Sequence, residues 1–267
     1  MSAAGGILRG KAALITGSTQ GIGLGVLKAL AAAGCDVSMH GLPTDRPKIE
    51  RLCADIAGQH GVRVAYSEAD LLKPAAIRDM VKQTADSFGR LDILVNNAGI
   101  QFVAPVHELP DEKWDAILGV CLTATFHATK AALPYMLQQG WGRVVNTGSM
   151  HALVASPFKS AYNAAKHGVA GFTKTVALEV ATKGITVNAV CPGYADTDLV
   201  RNQIADTARI RGIPVEAVIK DVMLADQPTK KFVQPDDIGA LVVHLCGPHS
   251  SSITGACISI DGGWTAR

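Results

Sequence analysis

The chain has 267 residues, 48% of them hydrophobic and 18% charged, with a formal net charge of +2 at neutral pH. That composition excludes a disordered chain. The near-neutral balance, with no basic run and no aromatic-rich basic strip, gives no electrostatic case for nucleic acid or for an anionic membrane surface.

A chain this long can bury a substantial core, and one α/β domain spanning 1–267 is the expected organisation. The first nine residues lack a basic segment followed by a long apolar stretch, so no signal peptide is expected. No uninterrupted apolar run reaches membrane-spanning length, and a cytoplasmic location is expected. Cys35, Cys53, Cys121, Cys191, Cys246 and Cys257 form no Cys-x-x-Cys pair. They read as buried free thiols of a reducing compartment rather than disulfides or metal ligands. The eight histidines include no helix-spaced ligand pair, and no metal is expected.

The first predicted strand, near 11–16, contains Lys11-Ala12-Ala13-Leu14-Ile15. It enters Thr16-Gly17-Ser18-Thr19-Gln20-Gly21-Ile22-Gly23 and then a helix near 22–33. Strand, glycine turn and helix together make the context of a phosphate-binding turn: Gly17 for the tight bend, Gly21 and Gly23 for close backbone approach. The spacing Gly-x-x-x-Gly-x-Gly differs from the usual dinucleotide fingerprint. Further strands are predicted near 35–40, 62–67, 91–95, 142–148, 185–191 and 256–260, separated by helices near 46–58, 74–88, 111–138, 160–182 and 235–246. Asn96-Asn97-Ala98-Gly99 closes the fourth strand, and Pro192-Gly193 closes the sixth. The strands are apolar and rich in Val and Ile, as in a parallel sheet buried on both faces. The alternation predicts a doubly wound, Rossmann-type sheet of about seven strands with helices on both sides. The irregular stretch from Tyr194 to about Pro235, with several charges and two prolines, reads either as a lid or as a surface excursion.

Ser149 follows the fifth strand, and Tyr162 and Lys166 stand four residues apart in the next helix. Residues i and i+4 share a helix face. A phenol has a reference pKa of roughly 10, too high for a base at neutral pH. One ammonium at about 4 Å, at an effective dielectric of about 20, is worth roughly 4 kcal/mol, enough to bring that phenol near the range of proton exchange with an alcohol. Tyr-x-x-x-Lys alone also occurs on ordinary amphipathic helices.

In combination and in this order, from 11 to 263, these motifs resemble the short-chain dehydrogenase/reductase family. Within it the chain looks most like the bacterial enzymes that act on 3-hydroxybutyrate. That likeness rests on Asn97-Ala98-Gly99-Ile100-Gln101, His151-Ala152-Leu153-Val154-Ala155-Ser156, Lys159-Ser160-Ala161-Tyr162, Gln203, and the ending Asp261-Gly262-Gly263-Trp264-Thr265-Ala266-Arg267. The resemblance implies that Ser149 orients the substrate oxygen and Tyr162 is the acid/base. Lys166 lowers the Tyr162 pKa and binds the nicotinamide ribose. It implies a cofactor site of Gly17, Thr19, Gln20, Gly21, Ile22, Gly23, Asp70, Leu71, Asn97, Gly99, Tyr162, Lys166, Pro192, Gly193 and Thr197. Asp70 reads equally as an acid at a helix start. The segment within about 194–235 corresponds to the family's substrate lid.

The second strand ends His40-Gly41-Leu42, with neither the acid usual for NAD nor a base for a 2′-phosphate. A phosphate without a cationic partner is the costlier mismatch, so NAD is expected, with Arg46 as the residue able to fold back onto the ribose. Gln101, Ser149, His151, Lys159, Tyr162 and Gln203 would hold a short hydroxy or keto acid, Lys159 supplying the charge, while Tyr194 and Trp264 would enclose its methyl end. Two departures stand out. Cys121 occupies the place of the family's asparagine, and Tyr194 stands where the hydroxybutyrate enzymes commonly have Trp. The alternatives are a 3-oxoacyl-thioester reductase, another small alcohol or ketone dehydrogenase, and a non-catalytic nicotinamide-binding protein. A homotetramer is implied by the family, with Ala164-Ala165 and Gly168-Val169-Ala170-Gly171 allowing helices to pack closely, either between subunits or within one.

Overall fold

The computed structural model describes residues 6–266, so residues 1–5 and Arg267, the last residue of the C-terminal motif, lie outside the described residues. Seven strands form one parallel sheet: β1 Ala12–Ile15, β2 Asp36–His40, β3 Val64–Ser67, β4 Ile93–Asn96, β5 Gly142–Thr147, β6 Ile185–Pro192 and β7 Cys257–Ile260. Their spatial order is β3-β2-β1-β4-β5-β6-β7. The chain therefore leaves β1 in one direction for β2 and β3, and returns past it to β4. The strand order reverses there, and a crevice opens at the carboxyl ends of the strands.

Period-two side-chain alternation explains why both faces are covered. Ala13 and Ile15 of β1 point to one side, with Val37, Met39, Ile93 and Val95. Helices α1 Gly21–Ala32, α2 Arg46–His60 and, late in the chain, Pro235–Cys246 cover that side. Leu14 points to the other, with Leu94, Val144 and Val187. There α3 Pro74–Phe88 and the helices after β4 and β5 supply Ile77, Met80, Ala128, Met136 and Val176. The central strands β1 and β4 are thus apolar on both faces over nearly their whole length, as two-sided burial requires.

The predicted helix 111–138 is interrupted. It consists of α4 Asp111–Leu118, one π-helical turn Gly119–Thr123 and α5 Ala124–Gln139. An inserted residue of this kind is local and leaves the apolar period on either side nearly unchanged, so the sequence pattern conceals it. By length and composition Asp111–Gln139 is apolar enough to cross a membrane. Its Ala124, Ala128, Ala132 and Met136 nevertheless pack into the core beneath the sheet, which is the position of a core helix.

Helix α6, Ser160–Val180, follows β5 through a short 3₁₀ turn, Met150–Ala152. After β6 come three short helices, α7 Asp198–Arg201, α8 Ile204–Arg211 and α9 Val215–Val218, and a second π-helical turn, Ile219–Met223. They pack Ala208, Val218 and Met223 against Tyr194 and Met150 in a small core of their own. This unit stands over the carboxyl ends of the strands; α10 Pro235–Cys246 and β7 then complete the domain.

Candidate active site

A cleft of about 540 Å³ lies at the carboxyl ends of the strands. It is lined by the glycine turn after β1, the ends of β2, β4, β5 and β6, the start of α6 and the first lid helix. Every residue expected at the cofactor or substrate site borders it except Trp264, which lines a smaller adjoining cavity and leans against the His151 ring at 5.9 Å between centroids. Trp264 shares that adjoining cavity with Lys159 and Tyr194, which border both.

The glycine turn is held from both neighbouring strands. The Gly17 N–H donates to His40 Nδ1 at 3.0 Å, and the far nitrogen of that ring lies 2.9 Å from the Ala69 carbonyl. On the other side Asn97 Nδ2 donates to the carbonyls of Thr16 and Gly17, both at 3.0 Å, and Thr147 Oγ1 donates to Asn97 Oδ1 at 3.3 Å. Thr16 Oγ1 accepts the N–H groups of Asn97 and Ala98. Gly17 adopts φ +62°, and a Cβ on Gly23 would stand 2.2 Å from the Gly17 carbonyl oxygen. Only glycine fits that approach. The α1 N-terminus carries no side-chain cap and no acidic residue in its first turn. Its unpaired N–H groups face the cleft and suit an anion.

These contacts refine three expectations. The Asn97 amide is fully used in the clamp, so it shapes the turn. Asp70 Oδ1 accepts from Leu72 N at 2.9 Å, the turn-forming role of an acid before α3, while the residue also borders the cleft. Arg46 pairs with Glu68 at 2.5 Å instead of folding back over the cleft. His40 and Thr16 escaped sequence reasoning because their partners are reached only through strand pairing. Gln227 did too: it is wholly buried, its Oε1 accepts from Tyr194 N at 3.3 Å and its Nε2 donates to Lys231 O, tying the end of the lid to the end of β6.

Tyr162 and Lys166 share one face of α6 as spaced, with the ammonium 5.5 Å from the phenol ring centroid. Lys166 Nζ donates to the Thr147 carbonyl at 2.6 Å. The expected lowering of the phenol pKa is not the net result. Burial pushes Tyr162 up by more than the Lys166 charge and the Ser149 hydrogen bond pull it down. A spacing argument counts the neighbouring charge and misses the desolvation. Ser149 Oγ also accepts the His151 N–H at 3.1 Å and lies 3.3 Å from His151 Nδ1.

The far end of the cleft is polar and buried. Lys159 is 9% exposed, donates to Gln203 Oε1 at 3.1 Å and to the Tyr194 hydroxyl at 3.3 Å, and has no carboxylate partner among the described residues. Burial, with Arg211 adding to it, holds its ammonium down at about 8. Burial and then Lys159 hold His151 at about 3, so that ring is neutral. His151 Nε2 and both polar amide atoms of Gln101 are buried without a hydrogen-bond partner among the described residues. Such groups are costly unless something meets them.

Residues 11–208 match the family model for short chain dehydrogenases. The chain belongs to this family. It is therefore an oxidoreductase enzyme on a fold that binds a nicotinamide cofactor. Two D-beta-hydroxybutyrate dehydrogenases resemble it closely. The one from Rhizobium meliloti (strain 1021) is 51% identical, covering 96% of this chain and 99% of the relative. The one from Cupriavidus necator is 50% identical, covering 98% and 100%. A 3-oxoacyl-[acyl-carrier-protein] reductase from Synechocystis is 34% identical over 96% of this chain and 97% of that one. A solved structure of a putative short-chain alcohol dehydrogenase from Sinorhizobium meliloti 1021 superposes with a TM-score of 0.86 at 32% identity, covering 97% and 98%.

Cys121 sits in the first π-helical turn, 1% exposed, with its thiol 3.6 Å from the Ile100 carbonyl. Its own carbonyl accepts the Thr125 hydroxyl at 3.1 Å. Burial pushes the thiol up, away from the thiolate form that a nucleophile needs. Cys121→Asn should fold normally by circular dichroism and keep or raise turnover in this dehydrogenase; loss of turnover in a folded variant would assign the thiol a role of its own.

Proposed function

We propose that this enzyme interconverts (R)-3-hydroxybutyrate, or a closely similar short hydroxy acid, with its keto acid, using NAD. One observation carries the proposal: Lys159, a buried ammonium with no acidic partner among the described residues, lines the cleft that holds Tyr162 together with Gln101 and His151, whose buried polar side-chain atoms lack a partner among those residues. That set suits a carboxylate, which supplies the missing charge and accepts the free donors. A thioester offers Lys159 no such anion. The two relatives at about half identity carry the same activity in their names.

The cofactor fits the residues present. The glycine turn and the open α1 N-terminus would take its diphosphate, Lys166 its ribose, and Thr197, at the start of α7, its carboxamide. When bound it supplies the hydride acceptor. Lys159, Gln101, His151 and Gln203 then hold the carboxylate, fixing the carbinol against Ser149 and Tyr162. Ser149 orients the reacting oxygen, and the deprotonated Tyr162 takes the carbinol proton as the hydride leaves. Lys166, joined by the positive nicotinamide, offsets the burial that disfavours the phenolate. NAD rather than NADP is supported by the absence of a basic group at the end of β2 and by the pairing of Arg46 with Glu68. The cytoplasm is the proposed location.

A homotetramer is the proposed assembly. On α5 and α6 the residues Phe126 and Leu178 are 42% and 81% exposed, and Gly171 faces open space. Gly168, by contrast, packs inside the subunit against Leu122. Light scattering at micromolar concentration should give the mass of four chains, and a monomer mass would refute the assembly.

Tyr162→Phe removes only the titrating hydroxyl. It should nearly abolish turnover while the affinity for NADH, followed by fluorescence, stays close to wild type. Near-normal oxidation by this variant would exclude the mechanism.

Lys159→Ala loses a charge-assisted contact of about 1.5–3 kcal/mol, which implies a roughly ten- to hundredfold fall in kcat/KM for the hydroxy acid. A neutral secondary alcohol of similar size should be little affected. The pH dependence carries the same signature. Lys159 is charged below about 8 and neutral above it, so kcat/KM for the acid should fall as pH rises through that value. The neutral alcohol should lack this limb, and equal loss on both substrates would exclude charge recognition by Lys159.

A further inference from the structure

The 2′ position of a dinucleotide ribose is met at the end of the second strand, by an acid for the hydroxyl or by an arginine for a phosphate. Here β2 ends in His40, whose two ring nitrogens are taken by Gly17 and Ala69. The two residues that follow, Gly41 and Leu42, carry no charge but line the cleft, as does Thr44. The acids at this edge are Asp45, directly after Thr44, and Glu68 and Asp70, which follow β3. His40 pairs in register with Ser67, the last residue of β3, so Glu68 emerges beside the end of β2. Ala69 and Asp70, directly after it, line the cleft. Glu68 meets Arg46, the first residue of α2, at 2.5 Å. Tyr66 lies in the same place: its hydroxyl donates to the Gly41 carbonyl at 2.7 Å, and its phenol is pushed up by burial and then by Glu68, with Arg46 pulling it down.

The other charges on this rim are committed elsewhere. Asp45 caps α2 through Lys48 N, and Asp70 binds Leu72 N with Lys73 at 3.6 Å. Arg46, the first residue of α2, is thus the arginine within reach of a 2′-phosphate at this edge, and Glu68 neutralises it. Both side chains are about half exposed, 54% and 48%, so the pair costs little to rearrange.

We propose that Glu68 is the residue that sets cofactor choice in this enzyme, by holding Arg46 in an ion pair and so denying a 2′-phosphate its counter-charge. The inference rests on the NAD reading above and names the residues behind it. It places the discriminating acid just after β3 rather than at the end of β2, which explains how a site without the customary acid can still refuse the phosphate.

The test measures equilibrium affinity for NADH and NADPH by fluorescence titration of the full-length protein, without substrate. Wild type should bind NADH more tightly. Glu68→Gln should tighten NADPH binding roughly three- to tenfold, the scale of one screened charge near a surface, and leave NADH within about twofold. Adding Arg46→Ala to Glu68→Gln should return NADPH affinity to the wild-type value, because the gain runs through the freed guanidinium. An unchanged NADPH to NADH ratio in Glu68→Gln would overturn the proposal, and so would a gain that persists without Arg46. Wild-type protein that prefers NADPH would instead overturn the NAD reading, whatever the variants do.

Discussion

The cleft depends on how the turn after β1 is held. Gly17 is bound through its N–H to His40 on the β2 side and through its carbonyl to Asn97 on the β4 side. Asn97 in turn accepts from Thr147 at the end of β5, and the Thr147 carbonyl accepts from Lys166. The glycine turn of the cleft and the Lys166 ammonium beside Tyr162 therefore belong to one hydrogen-bonded chain across four strand ends. Because β1 sits where the strand order reverses, its turn has neighbours on both sides, and each can contribute a clamp.

Within that frame the electrostatics are those of a desolvated site. Tyr162 carries a raised pKa in spite of Lys166, and Lys159 a lowered one in spite of two polar contacts. Both shifts have burial as their largest cause. They oppose the charged form of each residue, and in the proposed reaction each would be relieved by a charge from outside, a positive nicotinamide for the phenolate and a substrate carboxylate for the ammonium. The segment over the strand ends contributes through Gln203, in the turn between α7 and α8, and through Gln227, which anchors its far end beside Tyr194.

Much of this was legible in the sequence. Seven apolar segments alternating with amphipathic ones specify a parallel sheet covered on both faces, and the strand ends fall within a residue or two of expectation. The spacing of Tyr162 and Lys166 fixes their common face, because helical geometry is local. The glycines of the turn are also local, each answering to a positive φ or a close contact a few residues away. The π-helical turn at Cys121 was hidden, since one inserted residue hardly alters the period.

What only the tertiary structure decided were the matters of partnership and burial. Sequence places Arg46 near the ribose, but β3 must lie beside β2 before Glu68 can claim it. Sequence gives Asn97 and His40 as polar residues at strand ends, but the crossing of β1 between β2 and β4 turns them into clamps. Sequence lists Trp264 with the substrate residues, and packing sets it against His151 in the adjoining cavity. The Tyr162 pKa differs from the spacing estimate for the same reason. Neighbours along a helix are determined by the chain itself, whereas desolvation and contacts between distant segments exist only once the sheet has assembled.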